Sequence, residues 1–93
     1  MKLKIDGVEC TLSYFQMSPN GYILQLLMEG TDDSLRFRLF LEFLQTRFRG
    51  VMASSPYDNG FTEVRILSAT MLQVIDAFRS EGYGVIELDP FSR

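Results

Sequence analysis

Histidine and tryptophan are absent from this chain of 93 residues, cysteine occurs once and proline three times. Without histidine, the chain lacks both the commonest proton-transfer group near neutral pH and the commonest metal ligand. The single Cys10 closes no intrachain disulfide and cannot build a four-thiolate zinc site within one chain. No basic companion stands beside it in sequence, so it reads as a small buried side chain rather than a reactive thiol. Long apolar runs are missing too: the richest, residues 22–28, is short and contains Gln25. That length does not span a bilayer, and membrane insertion is set aside. Met1-Lys2-Leu3-Lys4-Ile5-Asp6 breaks into charge before any signal-peptide core develops, which makes a cytoplasmic location the expectation.

What remains suits a folded domain. Hydrophobic residues make up 46% and charged residues 23%, too apolar for intrinsic disorder, and the length fits one compact domain over 1–93. Eight phenylalanines and four tyrosines supply large core side chains, each stabilising by about 1.5–3 kcal/mol when fully buried. Residues 2–6 alternate, Gly7 offers a turn, and 8–17 alternates again with Cys10, Leu12 and Tyr14 on one parity. Ser18-Pro19-Asn20-Gly21 supplies turn chemistry before a third strand over 22–29. The reading is a three-stranded meander with 8–17 in the middle and the apolar third strand inside the sheet.

Gly30-Thr31-Asp32-Asp33-Ser34 leads into a helix over 34–49 that Gly50 stops. Phe37, Phe40, Leu41, Leu44, Phe48 and Val51 share its broad core face. Residues 52–60 read as a flexible connection, 61–67 as a fourth strand with Glu63 and Arg65 facing solvent. Ser68 caps a second amphipathic helix over 69–80, Gly82 ends it, and a last strand follows within 83–88. The expected fold is α+β, a small mixed or antiparallel sheet covered by two helices in the order βββαβαβ. The final strand–helix–strand unit has the length of a crossover between parallel strands.

The functional signal concentrates on the first helix. Residues 35–49 hold four arginines against one glutamate, net +3, while the remainder is net −6. Arg36 and Arg47 fall on one border of the apolar face, Arg38 and Arg49 near the other. Leu39 and Phe43 form a second apolar ridge largely opposite the core face, to be covered by the other helix or by a second copy of the chain. With Tyr57 in the connection, these residues make a candidate partner-binding set. The expected function is a noncatalytic interaction or regulatory module, self-associating as a homodimer, with an acidic protein partner.

Two alternatives draw on the same residues. Nucleic-acid binding would use the arginines with Phe48 or Tyr57 for stacking, but the surrounding negative charge weakens attraction to a polyanion. A small carboxylate enzyme would use Asp58 with Glu63, or a metal held by Asp32-Asp33; neither pair has diagnostic spacing, and helix capping and turn formation explain Asp32, Asp33 and Asp58. The loop Leu67-Ser68-Ala69-Thr70 carries no glycine fingerprint, so no nucleotide cofactor is expected.

Overall fold

The computed structural model describes residues 1–18, 21–30, 34–54 and 57–88. Among them the elements run β1 (Lys2–Ile5), β2 (Val8–Ser18), β3 (Gly21–Glu29), α1 (Leu35–Arg47), β4 (Val51–Ala53), β5 (Phe61–Ile66), α2 (Met71–Ser80) and β6 (Val85–Leu88). The α+β class, with an antiparallel sheet and two helices, agrees with the sequence reading. One short strand is added, giving βββαββαβ in place of βββαβαβ. Pro19, Asn20, Ser55 and Pro56, within the expected turn and connection, lie outside the described residues.

The extra strand originates at the end of α1. Phe48 leaves the helix as an extended C-cap, so α1 stops at Arg47 instead of Arg49, and Gly50 at φ +68 reverses the chain. Val51, Met52 and Ala53 then pair antiparallel with Ile66, Arg65 and Val64. A Cβ on Gly50 would stand 2.8 Å from the Leu67 side chain, so both the dihedral and the space require glycine here.

Strand order is β4-β5-β3-β2-β1-β6, and every neighbouring pair is antiparallel. β2 is the middle of the meander and β3 lies between β2 and β5. β5 and β6 point the same way but are separated by β3, β2 and β1, so α2 spans the sheet instead of joining adjacent parallel strands. Register aligns Leu3, Cys10, Met28 and Thr62 in one row, Leu12, Leu26 and Val64 in the next, and Leu24 with Ile66 in a third. Side chains of these rows share one face. Phe37, Phe40 and Leu44 of α1 and Val74, Ile75 and Phe78 of α2 close over that face as one core. The opposite face carries no helix among the described residues.

Local chemistry fixes the helix ends. Ser34 accepts from the Phe37 N–H at 3.2 Å and caps α1. α2 is capped by Thr70, not Ser68: the Thr70 hydroxyl accepts from the Gln73 N–H at 3.2 Å while the Gln73 side chain accepts from the Thr70 N–H at 2.9 Å. This reciprocal pair satisfies two otherwise orphaned donors, which a cap at Ser68 would not. Ser68 instead bridges the backbone of Arg49, accepting from its N–H and donating to its carbonyl. The next α2 donor, the Met71 N–H, reaches the Tyr14 hydroxyl at 2.8 Å and docks the helix on β2. At the other end Gly82, at φ +96, donates to the Arg79 carbonyl and Tyr83 to the Phe78 carbonyl, a left-handed stop that folds Tyr83 back on α2. The Tyr83 ring meets Phe78 and Phe40 edge-on at 5.5 and 5.1 Å. No helix among the described residues is long and apolar enough to cross a membrane.

Candidate functional site

α1 contributes its outer surface as the first candidate. Leu35 and Leu39, one turn apart, are 62% and 50% exposed. Phe43, expected to continue the Leu39 ridge, is half-buried: its ring lies 5.1 Å from Phe78 and 5.9 Å from Tyr83, inside the intrachain aromatic cluster. The other helix covers this half of the ridge, and the exposed apolar pair becomes Leu35 with Leu39. Leu35, which the sequence reading does not include in the ridge, stands one helical turn before Leu39 on the same side of α1.

The four arginines divide by role. Arg36 donates to the Asp6 carbonyl at 3.1 Å and stands 3.9 Å from the Asp6 carboxylate. Asp6 also accepts from the Gly84 N–H at 2.7 Å and donates its own N–H to the Gly84 carbonyl, so Arg36 fastens α1 to the junction of β1, β2 and β6. Arg47 lies 3.9 Å from Glu81 and 5.5 Å over the Phe43 ring, bridging the two helices. Arg38 and Arg49 are exposed and have no acidic partner among the described residues; Arg49 sits beyond the helix end. Tyr57 belongs to the turn before β5, its N–H donating to the Phe61 carbonyl at 2.7 Å, and is 46% exposed. Gly30 donates to Gly60 across this turn, which places Tyr57 at the α1 N-terminal end of the molecule, with Arg38 and Leu39 nearer to it along the helix than Arg47 and Arg49.

The open sheet face is a second surface, unmarked in sequence beyond the Glu63/Arg65 parity. Ser13, Gln25, Arg65 and Met52 align in one cross-strand row. Ser13 donates to the Gln25 side-chain oxygen at 3.1 Å, the Gln25 amide donates to Glu63, and Arg65 Nε donates to Glu63 at 3.2 Å. The Arg65 guanidinium lies 5.0 Å over the Phe15 ring. Glu63 is therefore only 4% exposed although it is on the open face, held by a satisfied polar network. Finding that network requires the pairing register, which no single strand displays.

Residues considered for catalysis are dispersed. Glu63 is committed to Gln25 and Arg65, Asp58 lies in an exposed turn, and Asp32-Asp33 are outside the described residues. Burial, reinforced by Glu29 and Glu9, pushes the Cys10 thiol up to about 12, so it stays protonated near neutral pH. Among the described residues, no three His, Cys, Asp or Glu side chains group as metal ligands. Comparison with protein-family models, with curated proteins and with solved structures gave no match.

Proposed function

We propose that this protein is a noncatalytic interaction or regulatory module that works in the cytoplasm and recognises an acidic protein surface through the outer face of α1. The observation carrying this reading is the exposed Leu35–Leu39 pair with Arg38 beside it, an apolar anchor next to a cation that forms no ion pair with an acid among the described residues. Such a pairing favours a partner that supplies apolar contact and a carboxylate together, the apolar part contributing affinity and the charge orientation and encounter rate. Arg36 and Arg47 hold the helix in place, and Arg38 is the arginine aimed at the partner.

Capture from source cells with identification by mass tests the reading. The full chain is expected to retain an identified acidic protein that Leu39→Glu and Arg38→Glu variants, folded by circular dichroism, no longer retain. Titrated with DNA or RNA at moderate salt, the chain is expected to bind only at the nonspecific level of about 10⁻⁴–10⁻⁶ M or weaker. Capture that survives both substitutions, or tight sequence-selective nucleic-acid binding, contradicts it.

A further inference from the structure

Leu35, Arg38, Leu39, Glu42 and Thr46 fall within about 100° of arc on the side of α1 away from the buried Phe37, Phe40 and Leu44. All five are exposed. Arg38 and Glu42 stand on one border of this stripe, Leu39 and Thr46 on the other, and Leu35 between them. Arg36 and Arg47 are engaged by Asp6 and Glu81, whereas neither Arg38 nor Glu42 forms an ion pair among the described residues. Leu39, Glu42, Phe43 and Thr46 follow the spacing i, i+3, i+4, i+7, the four corners between which a side chain of a facing helix packs. With Glu81 and Tyr83 they line a depression of about 260 Å³. The Thr46 hydroxyl donates to the Glu42 carbonyl at 2.9 Å, so it asks no hydrogen bond of an occupant.

Resting on the reading of this face as a recognition surface, we infer that a second copy of the chain occupies it in the free protein and competes there with the acidic partner. A twofold axis across the helices, level with Phe40, sets the two α1 helices antiparallel and keeps each border of the stripe on its own side. Arg38 of each copy then comes level with Glu42 of the other, forming two ion pairs. The two arginines stand four residues apart along the helices, about 6 Å, so each is nearer to a carboxylate than to its like. Leu39 meets Leu39 beside the axis, and Leu35 of each copy comes over the Thr46 end of the other's depression. This pattern selects a second copy because the stripe carries both signs: a uniformly acidic surface satisfies Arg38 but leaves Glu42 facing its own charge. The contact is one helix wide, which fits a reversible pair formed at high micromolar concentration.

Charge exchange within the stripe, made in the full chain, provides the test. At high micromolar concentration the wild type is expected to sediment at twice 10.7 kDa. Arg38→Glu and, separately, Glu42→Arg, both folded by circular dichroism, should each weaken association by about tenfold or more. An equimolar mixture of the two variants should regain it, because every reversed charge then faces its opposite. Added to the wild-type pair, the captured acidic protein should yield a complex holding one copy of the chain. A monomeric wild type, variants that pair as tightly as the wild type, a mixture that gains nothing, or a complex that keeps both copies joined overturns the inference. Sedimentation of the chain and its variants needs no acidic protein, so its failure is distinguishable from a failed capture, which would defeat the recognition reading and the competition together.

Discussion

Cys10 illustrates how one position removes a chemistry. It occupies the row Leu3–Cys10–Met28 beneath the helices, 2% exposed, with its sulfur within 3.6 Å of the Val8 carbonyl. Burial first, then Glu29 and Glu9, raises its thiol from 9.0 to about 12 in the folded chain. The unfolded chain releases this proton first as pH rises, so the thiol leaves stability unchanged below 9.0 and lowers it progressively from 9.0 to about 12. Thermal melts across that range should fall more steeply for the wild type than for Cys10→Ala. At pH 8 a thiol reagent should label the native protein slowly and the denatured chain rapidly. Prompt stoichiometric labelling of the native protein would show an accessible thiolate and reopen covalent chemistry at this residue.

At the scale of elements, α1 presents two sides of different character. Its inner side buries Phe37, Phe40 and Leu44, and Phe43 joins Phe78 and Tyr83 at the seam with α2. Phe43→Ala should cost roughly 2 kcal/mol, below the usual loss for a fully buried phenylalanine because the ring is half-buried. Leu39→Ala should stay within about 0.5 kcal/mol, as surface substitutions usually do. Denaturant unfolding separates the two, and equal losses would mean that Leu39 belongs to the core. The sequence made the strands and helices legible through periodicity: the apolar face of α1 and the alternation of β1 and β2 are local patterns. Helix caps were only partly legible, since Ser68 and Thr70 are equivalent by residue type and the Thr70–Gln73 reciprocity decides between them. β4 was hidden because three residues beside a turn carry too little pattern, and its pairing depends on the reversal at Gly50. Phe43 was misplaced as an outer ridge residue for a related reason: a helical projection gives an angle, whereas the position of α2 and the fold-back of Tyr83 decide what lies there.

For the whole molecule, the two layers separate two surfaces. Helices and sheet share one core, leaving the outer side of α1 with Leu35, Arg38 and Leu39 and the opposite sheet face with its Glu63 network. The candidate site was marked in sequence by an excess of arginine on one helix. Which arginines are committed was not, because Asp6 and Glu81 meet Arg36 and Arg47 only through the tertiary fold. The most direct test of the account is backbone-resonance mapping of the full chain titrated with the captured acidic protein. The account predicts shifts concentrated at Leu35, Arg38 and Leu39, with Lys2, Thr11, Phe15 and Leu27 unmoved. Shifts confined to the sheet face, with α1 silent, would contradict it.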